Sequence, residues 1–296
     1  WTAREKRNEK KYANPQTIID IICSYFKTPW SIDTIKRFVH VNHYYSNIRY
    51  EGNYYLKYND INYKYNVSKY DLTLLLGEYG DDSIVLDLGC GYKSKSYRDT
   101  MNCIYYLGVD NDYNVIQSNM IHKTDRCEYQ LLDLSYRWDI QIGLYPKTLF
   151  IRNYNLVLSI NSIHHCYHII DDVIDKITHQ MTATGIMILQ FLDLTALNKL
   201  FSFYKTHTIY SPNHLDYVKR LDDTTIKYYY SRNHSEPIIE KVFTKELLID
   251  KYISKGWTLK NLIEYDTIES EDTIESLDIW KAYYKCFPIV VFELNK

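Results

Sequence analysis

Glycine and proline are scarce in this chain, 9 and 6 among 296 residues, and the composition is that of a globular protein. No run of 18 or more apolar residues occurs, which excludes a hydrophobic spanning helix, so no membrane partner is expected. The N-terminus lacks the basic, apolar and small-residue zones of a secretory signal. The six cysteines (Cys23, Cys90, Cys103, Cys127, Cys166, Cys286) form no CxxC pair and no dense framework. They read as reduced thiols of a cytoplasmic protein. Neither sign of charge dominates, 35 basic against 37 acidic residues. That balance gives no strong electrostatic footprint for bare nucleic acid and leaves only a local basic groove open.

What is abundant is tyrosine, with 32 copies. Tyr, Asn, Ile and Lys all have A/T-rich codons, so a biased genome explains the excess better than a selected aromatic surface. The chain starts at Trp1 rather than Met, as expected of a fragment of a longer polypeptide. Its length suits one large domain or one and a half.

Residues 1–60 combine a basic opening, "REKRNEKK", a predicted helix from Pro15 to about Phe26, and part of a Tyr/Asn-rich stretch without clear period. They are expected to form an irregular arm or linker. From residue 61 onward a single domain is expected. "VSKYDLTLLLGEY" turns helical, and then short apolar runs alternate with helix-like segments: "SIVLDLG", "CIYYLGVD", "EYQLLDL", "YNLVLSI" and "GIMILQFL". "IIDDVIDKITHQM" spaces its apolar residues by three and four, with Asp171 and Asp172 suited to a helix N-terminus. Such alternation predicts an α/β fold with a mostly parallel sheet. "KVFTKELLIDKYISKGW" reads as a helix closed by Gly256, and the late strands "WTLKNLIEY" and "FPIVVFEL" predict a mixed sheet.

"VLDLGCG" is an apolar strand entering a Gly-x-Gly turn, where Gly89 and Gly91 let the backbone turn tightly at the end of a strand. Asp110, nineteen residues past Gly91, ends the next strand, where a carboxylate can accept both hydroxyls of an adenosine ribose. Asp133 closes the third run, within reach of an adenine edge. The full GxGxxG is missing, since "YKSKSY" follows Gly91, and this disfavours a dinucleotide. The Asp87-x-Gly89-x-Gly91 form resembles motif I of S-adenosylmethionine (SAM) dependent methyltransferases, which implies their Rossmann-like fold and SAM as cofactor. The competing reading is that Asp87 and Asp133 merely cap turns.

Later segments narrow the resemblance. "SIHHCYH" resembles the Ser-Ile-His-Tyr-Ser-Phe-His run of viral-type mRNA cap guanine-N7 methyltransferases, the type found in poxviruses, African swine fever virus relatives and yeast linear plasmids, matching at Ser162, Ile163, His164 and His168. "EPIIEKVFTKELL" is similar to the family's segment in which a glutamate precedes a helix, and that glutamate falls on Glu240. "YYKCFPIVVFELNK" resembles its closing strand, and "NVSKYDLTLLL" its Asn-x-x-Lys helix, which places Asn66 at the substrate and Lys69 near the methionine carboxylate. The opening residues resemble the end of a capping guanylyltransferase. The resemblance implies transfer of a methyl group from SAM to N7 of the cap guanine, with a capped mRNA 5′ end as partner. It further implies the guanylyltransferase and triphosphatase part on the same polypeptide, a small activating subunit as in poxviruses, and a viral-factory, virion or cytoplasmic-plasmid setting.

In this resemblance His164 and Glu240 position the guanine, while His165, Tyr167 and Phe287 line the pocket. His165 and Phe287 stand where the family has tyrosines, and Tyr92 and Lys95 replace its lysine and aspartate after motif I. Lys93, Lys95 and Arg98 are candidates for the cap triphosphate. His164, Cys166 and His168 are of zinc-ligating type, but helical spacing turns Cys166 away, and no metal is expected. Two alternatives stay open: a SAM-dependent methyltransferase acting on another RNA or small molecule, and a catalytically degenerate scaffold subunit.

Overall fold

The computed structural model describes residues 69–134, 153–211, 214–230, 236–265 and 276–296. The N-terminal arm, its predicted helix and Asn66 lie outside these residues.

The first helix, α1 (Lys69–Gly80), leads into β1 (Ile84–Leu88), α2 (Ser94–Thr100), β2 (Tyr105–Asp110), α3 (Tyr113–Asn119) and β3 (Cys127–Leu131). After β4 (Tyr154–Ile160) come a 3₁₀ turn (Ile163–Ile169), α4 (Ile170–Gln180), β5 (Met181–Gln190) and α5 (Leu194–Phe203). Four short strands follow, β6 (Thr208–Tyr210), β7 (Tyr217–Arg220), β8 (Thr225–Tyr229) and β9 (Ile238–Lys241). The chain closes with α6 (Lys245–Ser254), β10 (Trp257–Ile263), α7 (Ser276–Tyr284) and β11 (Ile289–Asn295).

Seven strands form one sheet in the order β10-β11-β5-β4-β1-β2-β3, and the other four form an antiparallel sheet in sequence order. The pairs β3–β2, β2–β1, β1–β4 and β4–β5 are parallel, whereas β11 runs antiparallel to both β5 and β10. This is the expected α/β fold with a mostly parallel sheet and a late antiparallel strand. Strands β1 and β2 are apolar on both faces because both faces are covered. Val173, Ile174 and Ile177 of α4 and Leu248 and Tyr252 of α6 pack on one face with Leu86, Val157 and Phe292. Leu72, Leu75 and Leu76 of α1 and Val115 and Ile116 of α3 pack on the other with Val85, Tyr106 and Leu158. The chain runs outward from β1 through β2 to β3 and then returns to β4 on the other side of β1, so the strand order reverses between β1 and β4. At such a reversal the loops part and leave a crevice at the carboxyl ends of the strands.

The small sheet was not foreseen. Its inner residues Ile209, Val218, Ile226 and Tyr228 pack with Leu197, Phe201 of α5 and Trp280, Tyr283 of α7 in a third core. Strands of three to five residues in a Tyr- and Lys-rich stretch show little alternation to the eye.

Some boundaries differ from expectation. Strand β3 ends at Leu131, so Asp133 lies two residues past it. His164 sits in the 3₁₀ turn after β4. Glu240 lies within β9, ahead of α6 as expected, and Phe287 precedes β11 by two residues.

Candidate active site

The site begins with a close approach between β1's turn and the end of β4. Gly89 has φ 66°. A Cβ added there would stand 2.3 Å from the Ser162 Cβ, so this turn needs glycine for space as well as conformation. The Ser162 hydroxyl donates to the Leu88 carbonyl, and its oxygen is 2.6 Å from the Ser159 hydroxyl. Asn161 takes φ 57° to aim Ser162 back at the turn. The serine of the "NSIHH" stretch is therefore a clasp between two strand ends.

Gly91 also has positive φ, 57°, but open space lies where a side chain would be. Its N–H donates to Asp110 Oδ2 at 2.9 Å, and the Asp112 N–H donates to Oδ1 at 2.9 Å. Each Asp110 oxygen thus keeps a lone pair for a second donor. Burial pushes the Asp110 carboxyl up to about 6, opposed by those two backbone donors and by nearby His165. Asp87 is deeper, 1% exposed, and accepts from the Tyr106 hydroxyl at Oδ2, while Oδ1 has no partner among the described residues. Burial pushes it up to about 7. It is a strand residue bound to the neighbouring strand, not a turn cap. Asp133 is buried at the same edge.

The second half of the site joins the 3₁₀ turn to the small sheet. His165 Nδ1 is 2.9 Å from Glu240 Oε2 and 3.2 Å from the Tyr228 hydroxyl. A carboxylate only accepts, so Nδ1 carries the hydrogen and donates to Glu240. Glu240 Oε1 is buried and has no partner among the described residues, and neither has Nδ1 of buried His164. Burial, then the His165 ring, hold His164 well below the usual histidine range, so it is neutral at neutral pH. The rings of His164 and His165 lie 4.1 Å apart. One ligand atom from each of His164, His165 and Glu240 falls within 4.8 Å of the others. Two imidazoles and a carboxylate are a donor set that a transition ion accepts, and the same atoms match the polar edge of a purine. This trio differs from the His164, Cys166 and His168 set weighed in the sequence.

The remaining predicted residues sit apart from this group. Tyr167 packs its ring 4.6 Å from Phe243, and His168 is exposed. Buried Cys166 is pushed up to about 12 by burial and by Asp133 and Glu240, which suits framework rather than a nucleophile. Phe287 packs edge-on against Tyr283 in the third core, 5.4 Å between centroids. Arg98 donates to the His122 carbonyl and Cys127 Sγ, and Lys95 pairs with Asp99, so both have local partners. Lys69 opens α1. Tyr228, which meets His165, was missed; within "IKYYYS" nothing distinguishes it from its neighbours.

No protein-family model and no curated protein match the chain. Solved structures do. A SAM-dependent methyltransferase from Clostridium acetobutylicum is 11% identical, covering 82% of this chain and 99% of its own, at TM-score 0.55. Another from Mesorhizobium loti is 11% identical, covering 77% and 98%, at 0.50. The DhpI-SAM-HEP complex is 12% identical, covering 86% and 95%, at 0.51.

The chain has the fold of the SAM-dependent methyltransferases. One of these structures is a complex with SAM, and two features of the present site leave room and acceptors for a ligand. Gly91 leaves open space beside the turn, and Asp110 presents two oxygens with unused lone pairs at the end of β2. Among the described residues, no helix is long and apolar enough to cross a membrane.

Proposed function

We propose that the protein is a SAM-dependent methyltransferase that acts on N7 of the guanine cap of mRNA. One observation carries this reading. Glu240, brought by β9 to the His164–His165 turn beside Asp110, keeps a buried oxygen without a partner among the described residues. Guanine offers N1–H and N2–H side by side, and a carboxylate held by one oxygen is a complementary acceptor. The rings of His164 and His165 lie beside it.

Bound SAM supplies a methyl group on a sulfonium. Guanine N7 has a lone pair and loses no proton on methylation, so the site needs no general base. The protein's task is alignment, and positioning of this kind contributes up to roughly 7–11 kcal/mol. Asp110 would orient the ribose, and the positive-φ turn at Gly89 and Gly91 would let the backbone approach it. The Glu240 charge favours the guanine ring as it becomes cationic, and neutral His164 does not oppose it. A capped mRNA 5′ end is the partner this reading requires.

Glu240→Ala tests it. Removal of two charge-assisted hydrogen bonds is expected to lower GpppA methylation by roughly 10² or more while S-adenosylhomocysteine still binds. Equal loss of both would mean that Glu240 holds the fold instead.

A further inference from the structure

The outer face of the small sheet carries a pattern that the methyl-transfer site does not use. Register pairs Tyr210 with Tyr217, Tyr217 with Tyr229, and Lys219 with Lys227. It also pairs Lys227 with Ile239 and Thr225 with Lys241. Directly paired residues share a face, and alternate residues of a strand share it too. The outward set is therefore Thr208, Tyr210, Tyr217, Lys219, Thr225, Lys227, Tyr229, Ile239 and Lys241, while Val218, Ile226 and Tyr228 point into the third core. Three lysines, three tyrosines and no carboxylate occupy this face.

The tyrosines form a continuous row. Tyr217 and Tyr229 stack with centroids 6.0 Å apart and planes 26° from parallel, and Tyr210 lies 6.1 Å from Tyr217. Tyr210 is 49% exposed, and Lys219 and Lys241 are exposed. Lys219, Lys227 and Lys241 make no ion pair with the described residues. Lys176, Lys251 and Lys255, by contrast, each meet an aspartate. The nearest strand also reaches the site. Lys241 follows Glu240, and its Nζ stands 6.0 Å from the Tyr167 ring on the 3₁₀ turn.

A/T-rich codons account for how many tyrosines and lysines the chain has. They do not account for a face that collects both and excludes acids in a protein of net charge −2. Exposed aromatic rings beside unpaired cations are the chemistry that takes up unstacked bases and their phosphates. We propose that this face is a platform for single-stranded RNA, with bases stacking on Tyr210, Tyr217 and Tyr229 and phosphates following Lys219, Lys227 and Lys241. It is the local basic surface that an overall neutral charge leaves open. In the cap-methyltransferase reading it receives the transcript beyond the cap, but the platform itself does not depend on that reading.

Fluorescence anisotropy with an uncapped single-stranded RNA of about 12 nucleotides tests it. Wild-type protein is expected to bind with a salt slope near −2, since each of three neutralised phosphates contributes about −0.7. Y217A/Y229A is expected to weaken binding at least about tenfold. K219E/K227E is expected to make the slope shallower by about 1.4, with both variants folded by circular dichroism. Wild-type affinity in both folded variants would overturn the platform, as would an acidic peptide binding better than the RNA. GpppA methylated by a protein that does not hold the RNA would refute the platform alone. RNA held without GpppA methylation would refute the cap reading alone.

Discussion

Asp87→Asn isolates the energetics of the motif I carboxylate. Asp87 is 1% exposed, with one oxygen bound by Tyr106 and the other unpartnered among the described residues. Burial raises it from the ordinary 3.8 to about 7. A carboxyl raised on folding binds more protons in the folded state between those values, so the unliganded protein loses stability as pH climbs from about 4 to about 7. By linkage the loss is roughly 1.7 kcal/mol at about pH 5 and roughly 4 kcal/mol at about pH 8. Asparagine has the same shape and no charge, and any cost of its amide is the same at both pH values. Urea unfolding of both proteins should therefore show a stability difference that moves in favour of Asp87→Asn by roughly 2–3 kcal/mol from about pH 5 to about pH 8, with unchanged m-values. A difference that is the same at both pH values would refute the reasoning.

Three further outcomes follow from the same geometry. Gly89→Ala meets Ser162 as well as positive φ, so it should lower stability by roughly 3 kcal/mol or more, whereas Gly91→Ala, facing open space, should cost only about 1 kcal/mol; thermal unfolding separates them. His165→Ala should raise KM for the cap roughly tenfold by freeing the Glu240 carboxylate, with S-adenosylhomocysteine affinity unchanged, and His165→Tyr should recover part of it by returning a donor. Cofactor binding should weaken as pH falls through about 6, because protonated Asp110 accepts ribose hydroxyls poorly; isothermal titration with S-adenosylhomocysteine over that range is the check.

The main sheet was legible because its central strands are apolar runs bounded by turn residues, and α4 between two of them carries a clear period. Glycine spacing at Gly89 and Gly91 and acids at strand ends pointed to one half of the candidate site. The other half was legible only through resemblance, since Glu240 gains meaning from a contact 75 residues away in sequence. The small sheet was hidden because its strands are short and tyrosine occupies both faces: Tyr228 is core and its neighbour Tyr229 is half-buried on the opposite face. Tyr228 could not be read as a site residue for the same cause. The 3₁₀ turn defeated helical spacing: it groups His165, not His168, with His164 and Glu240.

The central claim is that Glu240 and the histidine turn present guanine N7 to the methyl group of SAM. Incubation with methyl-labelled SAM and GpppA, followed by digestion and identification of the labelled nucleoside, tests it most directly. The label is expected in 7-methylguanosine. Bound SAM with label in another nucleoside, or with no transfer to GpppA, would contradict the account.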